Sequence, residues 1–176
     1  AAAVFNVLNT YFNRPGLLIG VPKGKALELK DSQHWTDTLL LKYPHEIKKN
    51  EEVLSATEVY RKTLASQPDG SLTIITVGFL TNLADLLRSP SDQYSTLTGK
   101  ELVQKKVKQL VCMAGSFPGG NEFNIRMDAA SSKIVFENWW SKSIEERGDM
   151  PDNTVNFINE RHALTVIADK LSDKTG

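Results

Sequence analysis

A single cysteine, Cys112, stands in the 176-residue chain, so no intrachain disulfide and no cysteine-based zinc site can form within one copy. Its position inside an apolar run marks it as a small buried hydrophobe. No apolar run approaches the ~18 residues that a membrane-crossing helix needs. The opening AAAVFNVLNTYF lacks the basic stretch of a signal peptide. These absences predict a soluble protein with no membrane partner, and the cytoplasm is its default compartment. An excess of charge is missing too: 21 Lys+Arg balance 21 Asp+Glu, and no segment reads as a basic stripe. A nucleic-acid polymer is thus not the expected partner, whereas a neutral small molecule suits the charge. No G-x-G-x-x-G leads from a strand into a helix, which counts against a dinucleotide-binding oxidoreductase. Internal repeats and low-complexity segments are also missing.

The chain is long enough to bury a core without a disulfide or structural metal, and residues 1–176 read as a single α/β domain. Residues 1–13 place Val4, Leu8, Tyr11 and Phe12 near helical spacing, and the turn Asn13 to Gly16 ends that helix. An apolar helix at residue 1 points to a chain that starts in mid-fold. LLIGV at 17–21 predicts a short buried strand, and His34 to Tyr43 a helix stopped by Pro44. A further helix is predicted from Asn50 as its cap, with Ala56, Val59, Tyr60 and Leu64 on one face.

Two segments then repeat one pattern. Leu72 to Val77, rich in β-branched residues, predicts a parallel strand covered on both faces, followed by a helix capped by Thr81 with Leu83, Leu86 and Leu87 inward. After a surface loop from Ser89 to Gly99 and a short helix from Lys100 to Lys105, Val107 to Met113 predicts a second strand. A helix from Asp128 to Trp139 begins at its aspartate cap. The order βαβα predicts an open, largely parallel sheet flanked by helices, with a Rossmann-like core. Such sheets bind ligands beyond the carboxyl ends of their strands, here Gly78 to Asn82 and Ala114 to Asp128.

The turn GFLTN offers main-chain carbonyls off a sheet edge, hard oxygen donors of the kind calcium accepts. Read by itself, Thr81 is as well explained by a helix cap. The second loop surrounds Phe123 with Asn121, Glu122 and Asn124, between glycines at 115, 119 and 120. Amide and carboxylate side chains so grouped suit a polyhydroxylated ligand, and equally a solvated connection between strand and helix.

GFLTNLADLL resembles the Gly-Pro-Leu-Thr-Asn-Leu-Ala segment of the inosine-uridine type nucleoside hydrolases. MAGSFPGGNEFNIRMDAAS is similar to that family's Met-Gly-Gly, Glu-Phe-Asn and Asp-x-x-Ala-Ala elements, and LNTYFNRPGLLIGVPKG to its earlier helix, turn and strand. Phe79 stands where the family motif has proline, and Ala114 where it has glycine. The resemblance covers residues 1–139, with Glu-Phe-Asn its most specific part. It implies hydrolysis of the N-glycosidic bond of ribonucleosides, in purine and pyrimidine salvage, through a calcium-activated water. It further implies that the Thr81 backbone carbonyl is a calcium ligand. Glu122 and Asn124, with Asn121 beside them, would bind the ribose. The partner is then a small-molecule nucleoside, and assembly into a homo-oligomer stays open.

Other family elements have no counterpart. The Asp-x-Asp start followed by Asp-Asp is missing, since no two aspartates are adjacent, and it is expected upstream of Ala1. No late aspartate follows His or Trp, and His162 is expected to be a surface or helix residue. No catalytic base is therefore assigned in this chain. Residues 140–176 match nothing in the family pattern, although NFINERHALTVIADKL predicts a helix through Leu164, Ile167, Ala168 and Leu171. The expectation is a fragment of a longer domain, or a chain with segments omitted after Trp139. The alternative to an enzyme is a noncatalytic sugar-binding or scaffolding homologue.

Overall fold

The computed structural model describes residues 1–24, 26–27, 31–116, 120–139 and 155–157. The chain divides into two compact units, Ala1–Thr63 and Leu64–Gly176.

In the first unit, helix α1 (Ala2–Tyr11) buries Ala2, Ala3, Asn6 and Val7. This is not the expected face: Tyr11 and Phe12 are 65% and 68% exposed. Small alanines permit close packing, and the buried Asn6 is satisfied because its Oδ1 accepts from the backbone N–H groups of Glu46 at 2.7 Å and Ile47 at 3.2 Å. Asn13, in the left-handed region at φ 55°, follows the end of the helix. Strand β1 is only Gly20–Val21, shorter than the apolar run LLIGV, and it pairs in parallel with β2 (Leu54–Ser55). Helix α2 (Trp35–Lys42) forms where expected.

The predicted helix start at Asn50 is corrected. Asn50–Glu52 is a single 3-10 turn, β2 follows, and helix α3 (Ala56–Ser66) begins only after Ser55. Ser55 is the true cap: the Glu58 N–H donates to its Oγ at 3.1 Å, and the Ser55 N–H donates back to Glu58 Oε2 at 3.0 Å. This reciprocal pair is a capping box, spelled S-A-T-E in the sequence.

In the second unit, β3 (Leu72–Thr76), β4 (Val107–Cys112) and β5 (Val155–Phe157) form a parallel sheet in the order β3-β4-β5. The α/β class is as expected, with parallel strands flanked by helices. Each unit carries one small, open parallel sheet among the described residues. Among the described residues β3 is covered on one face: Ile74 and Thr76 are buried, while Ile75, and Val77 just past the strand, are each 62% exposed. Asn156 and Phe157 belong to β5, so the helix predicted over NFINERHALTVIADKL does not begin there. The rest of that prediction, with His162, lies outside the described residues.

Helix α4 (Thr81–Arg88) packs on α5 (Gly99–Lys106) and α7 (Ala129–Trp139), burying Leu83, Leu86 and Leu87 as their spacing requires. Thr98 and Glu101 form a second capping box at the start of α5. Gly99 sits so close to α4 that a Cβ there would collide with the Leu86 carbonyl oxygen. At the far end of α5 the turn before β3 is bolted down, with Lys106 Nζ 2.7 Å from Asp69 Oδ1 and the Gly70 N–H donating to the Lys105 carbonyl at 2.9 Å. The amino end of β3 is thereby fixed beside that of β4, and both strands point the same way toward the loops at their carboxyl ends.

Candidate functional site

Strands β3 and β4 finish in register, Thr76 opposite Cys112. The ladder extends one step further, because the Met113 N–H donates to the Thr76 carbonyl at 2.9 Å. Thr76 Oγ1 also lies 3.2 Å from Cys112 Sγ. Burial pushes the Cys112 thiol up from its ordinary value, against the lowering effect of the Thr76 hydrogen bond, and the nearby Glu122 carboxylate adds to the rise. The thiol is thus held neutral at the sheet end, in keeping with a packing role.

Past Thr76 the chain turns through Val77 to Leu80 into α4. The expected cap at Thr81 is corrected: Leu80 holds the cap position with no side-chain bond, and Thr81 is the first helical residue. Its hydroxyl is used elsewhere, donating to Asp128 Oδ2 at 2.5 Å. Asp128 caps α7 as its sequence position predicts, since its Oδ1 accepts from the Ser131 N–H at 3.1 Å. One carboxylate therefore ties the start of α4 to the start of α7.

After β4, the connection contains a short helix that the sequence pattern does not announce, α6 (Phe123–Met127). Glu122 caps it: Oε1 accepts from the Asn124 N–H at 2.8 Å and Oε2 from the Ile125 N–H at 2.9 Å. Gly115, at φ 89°, brings its own N–H to 3.3 Å from Glu122 Oε2, a backbone conformation that favours glycine. Asn124 is buried, and its Nδ2 donates to the Met113 carbonyl at 2.9 Å. Its Oδ1 accepts no hydrogen bond from a described residue. Asn121 is exposed. Glu122 and Asn124 are thus brought together at the carboxyl end of β4, each anchored by the loop it serves.

Aromatic contact joins the two loops as well. The Phe79 and Phe123 ring centroids are 5.8 Å apart at an interplanar angle of 49°, and the Arg126 guanidinium carbon lies 5.8 Å from the Phe123 centroid. Neither this ring pair nor the Thr81–Asp128 bond is apparent from spacing. The cue for the second lay in the polar residues at both helix starts, which need partners when half-buried.

Calcium takes six to eight oxygen ligands, several from carboxylates. Among the described residues no group of three His, Cys, Asp or Glu side chains could hold a metal ion. Among the described residues the one carboxylate bonded to Thr81 is that of Asp128. The described residues therefore do not by themselves amount to a calcium site. No described helix is long and apolar enough to cross a membrane.

The family model for inosine-uridine preferring nucleoside hydrolases matches residues 6–166, a span that continues past Trp139, where the legible motifs stop. No curated protein matches the sequence. With two strand ends carrying the Leu-Thr-Asn and Glu-Phe-Asn elements side by side, and a family match over most of its length, the chain belongs to the inosine-uridine preferring nucleoside hydrolase family.

Proposed function

We propose that the protein hydrolyses the N-glycosidic bond of ribonucleosides, with the sugar held at the carboxyl ends of β3 and β4. The observation that carries this reading is the pairing of Glu122 and Asn124 beside the Met113 carbonyl, with Asn124 Oδ1 left to accept from a ligand hydroxyl. A carboxylate already bonded to backbone N–H groups is held in place, so it accepts hydrogen bonds from sugar hydroxyls without reorganising. Such hydroxyl contacts gain strength as positive charge grows on the sugar in an oxocarbenium-like transition state. Asn121, exposed at the loop, is a third contact in this reading.

Calcium, in the same reading, belongs to the whole protein. Of this chain's residues the Thr81 carbonyl would be one of its ligands, and the chemistry the ion would supply is activation of a water. The catalytic base is not assigned to any residue of this chain. Nucleoside salvage is the process such a hydrolysis serves.

A noncatalytic nucleoside-binding homologue is the second reading, favoured by one observation: no acidic metal cluster occurs among the described residues. Hydrolysis of inosine and uridine by the full-length protein, with and without a chelator, separates the two. The enzyme reading expects ribose release that the chelator suppresses; nucleoside binding with no release supports the second.

A further inference from the structure

We infer that Phe79 is a positioning residue for the sugar clamp, an assignment that rests on the ribose-binding reading of Glu122 and Asn124. Phe79 occupies the turn from β3 into α4, and it stands where the resembling family motif has proline. Its ring meets that of Phe123 at 5.8 Å, and the Arg126 guanidinium approaches the same Phe123 ring at 5.8 Å. Phe123 is the first residue of α6, between the two clamp residues in sequence, and it is nonetheless 47% exposed.

The ring of Phe123 stands half-exposed at the start of a five-residue helix that Glu122 caps through its backbone, and among the described rings it meets that of Phe79. Helices this short gain almost nothing from their own backbone bonds, so side-chain contacts decide whether they stay in place. Phe79 supplies a contact from the turn that follows β3. The tilted pair fixes the first turn of α6 against the β3 turn, which sets the direction in which Glu122 and Asn124 face a ligand. The Thr81–Asp128 bond performs the same joining two residues further along the chain, at the first residue of α4, so ring pair and hydrogen bond together lock one loop to the other.

The test uses the full-length protein and a C-nucleoside such as pseudouridine, whose carbon–carbon link to the base is not a hydrolysable N-glycosidic bond. Calorimetric titration compares it with its 2′,3′-dideoxy counterpart, which lacks the hydroxyls the clamp grips. Wild-type protein is expected to prefer the hydroxylated ligand. Phe79→Ala should cut that preference about 5- to 10-fold, the scale of a lost aromatic pair, while affinity for the dideoxy ligand is unchanged. Phe79→Tyr should restore the preference. Should the alanine variant fail to fold, Phe79→Leu keeps apolar bulk without the ring and is expected to lose preference in the same direction. Preference retained in both Phe79→Ala and Phe79→Leu, or an equal loss for both ligands, overturns the positioning role. A wild-type protein with no preference for the hydroxylated ligand overturns the clamp itself, a result visible before any variant is made.

Discussion

The Thr81 hydroxyl donates to Asp128 Oδ2 at 2.5 Å, across 47 residues of sequence, and joins the helix that follows β3 to the helix that follows the Glu-Phe-Asn loop. Asp128 serves both sides, because its other oxygen caps α7 through the Ser131 N–H. The site loops are therefore coupled through one carboxylate as well as through the sheet.

Removing the hydroxyl by Thr81→Val is expected to destabilise the protein by about 1.5–3 kcal/mol, the range for a hydrogen bond to a charged group. Thr81→Ser should be close to neutral. Urea unfolding checks this: the midpoint should fall with the slope unchanged. A Thr81→Val midpoint equal to wild type would show that the bond does not hold the two helices.

Stability contributed by the Thr98–Glu101 capping box should depend on pH. The Thr98 hydroxyl, and after it the Thr98 N–H, hold the Glu101 carboxyl below its ordinary value of 4.5. A carboxyl lowered by folding stabilises the native state fully above its ordinary value, and that contribution fades as pH falls through the lowered value. NMR titration should find Glu101 below the ordinary glutamate range, moving part of the way back in Thr98→Val, where only the backbone bond remains. No movement in that variant would contradict the assignment.

Strand β3 predicts two opposite outcomes from adjacent isoleucines. Ile74→Ala, at a buried position, should cost about 2–4 kcal/mol. Ile75→Thr, at a position 62% exposed, should stay within about 0.5 kcal/mol. Thermal or urea unfolding of the two variants measures both, and a large loss at Ile75 would mean that this face is covered.

Cys112 is buried and its thiol is pushed up by that burial, so thiolate is scarce at neutral pH. Its reaction with a thiol reagent should be slower by at least about 100-fold in the native protein than in urea, since access requires opening of the structure. Comparable rates in the two states would place the side chain outside the core.

These elements also show what the sequence could and could not reveal. The β-branched run at Leu72 to Thr76 and the apolar run at Val107 to Cys112 read directly as parallel strands, and Asp128 reads as a cap. Segments of two or three residues carry no periodicity, which is why β2 and β5 escaped. Helix α3 was begun too early because Asn50, Glu51 and Glu52 look like a helix start, while the Ser55–Glu58 capping box lay further on. On α1, aromatic bulk suggested the wrong face, and Asn6 is buried because two backbone donors from residues 46 and 47 reach it, contacts 40 and 41 residues away in sequence. At the candidate site, motif resemblance singled out Glu122 and Asn124. Their internal bonds to the loop, and the Phe79–Phe123 contact, come from tertiary packing that spacing does not encode.

The central claim is that Glu122 grips the sugar of a ribonucleoside undergoing hydrolysis. Its most direct test is the rate at which the full-length protein releases ribose from uridine or inosine, wild type against Glu122→Gln. The reading predicts release by wild type and a loss of kcat/KM on the order of 100-fold in the variant, whose amide keeps the side chain's shape but not its charge. Ribose release undiminished in Glu122→Gln, or no release by wild type from either nucleoside, would contradict it.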